Sequence, residues 1–141
     1  MGYGETIVTA VSAWEGISAH PHRFGGTEFR LGKVEIGHIH GNRMADLPFT
    51  RTIREALVTD GEADVHHLLP ESGWISFYLR RDTDVTQAIK LFRMSYLQKR
   101  VRRAKGDDKQ ALLDEMAMLK ISPALRTALL GANGAGDDAD N

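Results

Sequence analysis

The chain has 141 residues, 42% of them hydrophobic and 26% charged, and a formal net charge of −1. Such a length and balance fit one globular domain with a single core and exclude global disorder. The near-neutral charge gives no overall field for nucleic acid or a membrane surface. The lack of cysteine excludes disulfides, thiolate catalysis and cysteine-ligated metal.

The start, MGYGETIVTAVSAW, has no basic lead and no long apolar run, so no signal peptide is expected. No later segment reaches the roughly 18 apolar residues that span a bilayer, and the expected setting is cytoplasmic with no membrane partner. Ile7, Val11 and Trp14 fall at helical spacing and predict a first helix over residues 6–16. Pro21 and the pair Gly25-Gly26 then predict an ordered loop. Phe29, Leu31, Val34 and Ile36 alternate with Glu28, Arg30 and Glu35, the period of half-buried strands. Turns at Gly32-Lys33 and Gly41-Asn42 make this stretch a three-stranded meander.

Thr50 is placed to cap a helix over 51–59 with Ile53, Ala56 and Leu57 inward, ended by Asp60-Gly61. ADVHHLLP and WISFYL read as a two-stranded hairpin around Glu71-Ser72-Gly73. A long helix opens near Thr83, with Asp82 and Asp84 as competing caps, and runs to about Ala104. Two further helices are expected over 107–119 and 123–130. The glycine-rich acidic end is expected to be disordered.

The fold class is therefore α+β: an antiparallel sheet of about five strands bracketed by helices, with a C-terminal helical extension. Residues 1–105 form the α+β domain, 106–131 the extension and 132–141 the tail. The expected core holds Phe29, Leu31, Val34, Ile36, Leu47, Ile75, Phe77, Ile89 and Phe92.

Taken in order, HPHRFGGTEFRLGKVEIGHIHG, DLPF, HHLLPESGW and the SY of the long helix resemble the bacterial luciferase-like domain family, over about residues 10–97. The resemblance carries no reaction, cofactor or catalytic residue over to this chain, and the family's name does not imply light emission. More distantly, element order and the closing SY are similar to MmcQ/YjbR-like domains. That likeness implies a compact α+β fold and raises DNA binding as a question.

Candidate site residues gather around the second turn. A two-residue Gly41-Asn42 turn sets His40 opposite Arg43, His38 opposite Ala45 and Ile36 opposite Leu47. A two-residue Gly32-Lys33 turn sets Arg30 opposite Glu35 and Thr27 opposite His38, which avoids pairing like charges. His38, His40 and Arg43 then lie on the core face at its polar tip. The loop carrying His20, His22 and Arg23 enters at the same end.

Three readings compete for this cluster. The histidines suit the margin between core and solvent with no further role. Together with the arginines they suit a pocket for a small anionic ligand. An HxH pair on a strand also suits a shared metal ion, but in this register Asp46 points to the other face and no carboxylate is near, so no metal ligand is assigned. Of the adjacent His66 and His67, strand alternation allows one at most to join a given site. Glu71 in its turn is either solvated or a general acid or base. There is no GxSxG, HExxH, P-loop or GxGxxG.

The alternative function is a protein or nucleic-acid interaction module built on the basic end of the long helix, with Arg93, Lys99, Arg100, Arg102 and Arg103 as phosphate contacts. Cations at a helix C-terminus also complement its dipole without any partner.

Overall fold

A computed structural model describes residues 2–131, so the expected disorder of 132–141 lies outside the described residues. In chain order the elements are α1 (Tyr3–Ser12), β1 (Ile17–His22), a 3-10 turn (Arg23–Gly25), β2 (Gly26–Leu31), β3 (Val34–His40), β4 (Met44–Pro48), α2 (Arg51–Thr59), β5 (Asp64–Val65), β6 (Trp74–Tyr78), α3 (Thr83–Arg103), α4 (Gly106–Met118) and α5 (Pro123–Gly131). The strands form one antiparallel sheet in the order β1-β2-β3-β4-β6-β5. The class is α+β as expected, with one strand more. That strand is β1, expected as a loop because of Pro21. It lies at the sheet edge, the place in a sheet that tolerates a residue without N–H.

Local signals place α2: the Thr50 hydroxyl accepts from the Ile53 N–H at 3.1 Å, and Ile53 and Leu57 are buried. α3 opens with one of the competing candidates in use: the Asp84 carboxylate, not the Thr83 side chain, reaches back to the N–H groups of Arg80 and Arg81 just before the helix, at 2.8 and 3.1 Å. α1 starts about a turn early because its Gly4 N–H donates to the Asn42 side chain at 2.8 Å, a contact from a distant turn.

Phe29, Ile36, Leu47, Ile75 and Phe92 are fully buried in one core, with Phe29 and Phe92 edge to face at 5.3 Å. Phe77 and Ile89 are partly buried against it. Val34 departs from expectation: it opens β3 straight after the Gly32-Lys33 turn and is 37% exposed. Leu112, Met116, Leu125 and Leu129 carry α4 and α5 into the same core. No helix among the described residues is long and apolar enough to cross a membrane.

The registers decide where the histidines point. At the Gly32-Lys33 turn Leu31 meets Val34 and Arg30 meets Glu35, as expected. One step on, a bulge intervenes and Phe29 meets Gly37 rather than Ile36. The extra residue inverts the alternation. Ile36 and Ile39 are both buried in the core, and a Cβ on Gly37 would strike Phe92. His38 and His40 consequently turn to the face opposite α3, which corrects their expected place on the core face.

The next turn is also longer than expected. It spans three residues, Gly41 to Arg43, so His38 pairs with Asp46 and His40 with Met44, not with Ala45 and Arg43. Ala45 and Leu47 stay in the core, and Asp46 shares the histidines' face.

Candidate functional site

On that helix-free face, four neighbouring strands bring polar side chains together. β4 supplies Asp46, whose side chain is only 1% exposed. β3 supplies His38, with Nδ1 2.6 Å from Glu35 Oε2 and Nε2 3.3 Å from Asp46 Oδ2. His40 brings its Nε2 to 3.1 Å from the same oxygen. Glu35 and His38 meet because the bulge lies between them; residues three apart on a regular strand face opposite ways. From β1, His22 stacks on His38 with ring centroids 3.9 Å apart. Its Nδ1 lies 3.1 Å from Glu28 Oε1, and Arg30 holds the other oxygen of Glu28 at 2.6 Å.

The far wall comes from the segment after β5. His66 Nδ1 accepts the backbone N–H groups of Leu68 and Leu69, each at 3.0 Å. In the neutral ring the proton must then sit on Nε2, which faces Asp46 Oδ1 at 3.5 Å. The Ser76 hydroxyl donates to that oxygen at 2.7 Å, and His67 Nδ1 lies 3.2 Å from Ser76 Oγ. Both histidines reach the site, because β5 ends at Val65 and strand alternation does not apply to them.

Burial and charge divide the group. Burial opposes a charge on His38, yet Asp46 and Glu35 outweigh it and raise the ring from 6.5 to about 9. Burial also works against Asp46 as an anion, but hydrogen bonds from His38 and Ser76 bring it from 3.8 down to about 2. His40 is lowered by burial and by the neighbouring His38 and His22, despite Asp46. His66 is lowered by burial and by His67, His38 and His40. At neutral pH the floor therefore holds a charged His38–Asp46 pair between neutral imidazoles.

These groups line a cleft of about 780 Å³. Five of the six histidines in the chain reach it: His22, His38, His40, His66 and His67. Its lips are apolar. Phe24, 97% exposed, stands on one side, and Leu68 and Leu69, 74% and 50% exposed, on the other. Phe24 holds the left-handed backbone at φ 59, uncommon for a residue with a side chain.

Of the residues expected from sequence, His22, Arg23, His38, His40 and Arg43 border the cleft. His20 does not; its ring is bonded to Ser18 Oγ at 2.8 Å. Among the described residues the Arg23 and Arg43 guanidinium groups have no ion-pair partner. The basic end of α3 is engaged within the protein. Arg93 makes a two-pronged pair with Glu115 at 2.6 and 2.7 Å. Lys99 donates to the Pro48 carbonyl, Arg100 to Tyr96 and Glu15, and Arg103 to the Leu31 carbonyl. Arg102 has an interaction of its own.

Sequence reasoning missed Asp46, Glu35 and Glu28 as members of the site. A glycine three residues short of the HxH end, inside an otherwise alternating strand, was the signal for a bulge.

Two groups meet the distances for a shared ion. His22, His38 and His40 each offer a ligand atom within 4.8 Å of the others, and so do Asp46, His66 and His67. The cleft thus holds proton donors, neutral bases and metal-ligating atoms within reach of one bound molecule.

The family model for the Luciferase domain matches residues 33–95, a span running from the β2–β3 turn into α3 and holding His38, His40, Asp46, His66 and His67. The resemblance carried by the motifs is supported over that span, which excludes the HPHRF stretch of β1. No curated protein and no solved structure matches the chain.

Proposed function

We propose that the cleft binds a small molecule with an acidic head and an apolar body. The observation that carries this reading is the convergence on one concave surface of five histidines and of two arginines, the arginines having no ion-pair partner among the described residues. Arg23 and Arg43 give charge-assisted hydrogen bonds to an acidic group, and the positive charge of His38 adds attraction while its two N–H groups stay on Glu35 and Asp46. Phe24, Leu68, Leu69 and Trp74 give the apolar contact a body of moderate size needs. Neutral His40 supplies a base beside the head, the requirement for proton transfer if chemistry follows binding.

The test is titration of the full chain with aliphatic and aromatic carboxylates, followed by backbone amide NMR. The expected shifts cluster on residues 22–24, 38–43 and 66–69. The double variant His38→Gln, His40→Gln should lose at least about tenfold in affinity while its circular dichroism is unchanged, since glutamine keeps hydrogen bonding but not the charge. Shifts confined to the basic end of α3, or none at millimolar ligand, would sink the reading.

A further inference from the structure

We propose that His22, His38, His40 and Asp46 hold a divalent first-row transition-metal ion at the floor of the cleft, through three imidazole nitrogens and one carboxylate oxygen. The inference shares the cleft with the reading above and deepens it by naming what the acidic head would meet there.

The spacing is the first argument. With bonds of about 2.0–2.1 Å, ligand atoms around a tetrahedral ion stand roughly 3.3 Å apart. Asp46 Oδ2 lies 3.3 Å from His38 Nε2 and 3.1 Å from His40 Nε2. Ligand atoms of His22, His38 and His40 lie within 4.8 Å of one another. An ion placed among them requires side-chain adjustments, not a new backbone.

The second argument is the surroundings of these ligands. Histidines that bind metal commonly donate their other ring nitrogen to a carboxylate, which fixes the ring and makes the free nitrogen a better ligand. Two of the three show this arrangement. His38 Nδ1 is on Glu35 and His22 Nδ1 is on Glu28, which Arg30 steadies in turn. Their Nε2 atoms turn to the ion, which on binding displaces the proton that His38 Nε2 holds toward Asp46. Asp46 is prepared likewise, since Ser76 occupies Oδ1 and leaves Oδ2 toward His38 and His40. These side chains stand on β1, β3 and β4, which the ladder bonds hold in place, β1 and β3 through β2 between them.

The same reasoning excludes His66. Its Nδ1 is taken by two backbone N–H groups, so its Nε2 carries a proton and donates toward Asp46 instead of ligating. The donor set also limits the metal. Three imidazoles and one carboxylate suit zinc, cobalt, nickel or iron, not calcium or magnesium, which take oxygen ligands.

The test uses the full chain, stripped with EDTA and titrated with Co2+ by visible absorption and with Zn2+ by calorimetry. One ion per chain is expected, with Zn2+ displacing Co2+. His40→Gln and Asp46→Asn should weaken binding at least about tenfold, and Glu35→Gln roughly 10- to 100-fold although it touches no ion. His20→Gln and His67→Gln should bind as the unaltered chain does. A variant that fails to fold is replaced by a direct measurement on the unaltered chain, where Zn2+ should shift the Nε2 resonances of His22, His38 and His40. No uptake at millimolar ion overturns the inference, as does loss of binding in His67→Gln with retention in His40→Gln. Repeating the carboxylate titration with EDTA and with Zn2+ separates the two readings. Carboxylate binding in EDTA without ion uptake overturns the metal site alone. Ion uptake with no carboxylate bound in either buffer supports the metal site and overturns only the earlier reading.

Discussion

Asp46 is almost wholly withdrawn from water, where an unpaired carboxylate would be costly. It stays ionised because His38, His40 and Ser76 surround it. The raised His38 and the lowered Asp46 are two views of one pair, so their effects are not summed. For His38 the sign is plain. A folded value of about 9 against an ordinary 6.5 means its contribution is complete below pH 6.5 and lost as pH rises through 9. That gap corresponds to roughly 3 kcal/mol. Asp46, depressed from 3.8 to about 2, contributes above pH 3.8 and is lost as pH falls through 2. His40 and His66 act in the reverse sense to His38. Held neutral in the fold, they lower stability as the unfolded chain takes up protons below 6.5. Comparing His38→Gln with the unaltered chain in EDTA isolates His38. Urea unfolding should show the largest deficit below about pH 6.5 and a small one above about pH 9. A deficit that grows with pH would mean His38 is neutral in the fold.

At the scale of elements, the bulge in β3 decides what the site contains. Gly37 sits there with φ 148, and an added Cβ would come within 2.7 Å of Phe92 Cε1 and 3.1 Å of the Asp46 carbonyl oxygen. Gly37→Ala therefore combines an unfavourable backbone with overpacking, and each costs on the order of 1–3 kcal/mol. The urea midpoint should fall accordingly, and the His38 and Asp46 resonances should move with it. An unchanged midpoint would show that the bulge tolerates a side chain. What could be read from sequence follows the reach of each signal. The Thr50 cap and the Gly32-Lys33 hairpin depend on neighbours in the chain, and both were legible. β1 was hidden because Pro21 reads as a breaker unless the strand is known to lie at an edge. The face of His38 and His40 was hidden because a single bulged residue reverses every side chain beyond it. Asp46 was lost to the site by the same one-residue error, and with it the carboxylate that a metal reading lacked.

Across the whole molecule, the sheet keeps its apolar core and the proposed binding cleft on opposite sides. One face holds the buried apolar residues beneath α3, and the other carries the polar floor of the cleft. α4 and α5 extend the apolar side. Leu125 and Leu129 are buried there, and Arg126 ties α5 to the carbonyls of Met116, Ala117 and Leu119. The two faces should therefore respond independently. Leu125→Ala removes a fully buried side chain that is not part of the cleft lining and should cost about 2–5 kcal/mol, with ligand affinity unchanged under conditions where the chain stays folded. Phe24→Gly should do the opposite. It removes an exposed aromatic lip and relieves a left-handed backbone that glycine adopts freely, so stability should hold or rise by about 1 kcal/mol. The affinity of an aromatic carboxylate should fall, and that of a short aliphatic one should change little, because only the larger body reaches the lip. Thermal unfolding and the carboxylate titrations on both variants measure these quantities. If Phe24→Gly destabilises the chain without altering affinity, the lip is part of the fold and not of the binding surface.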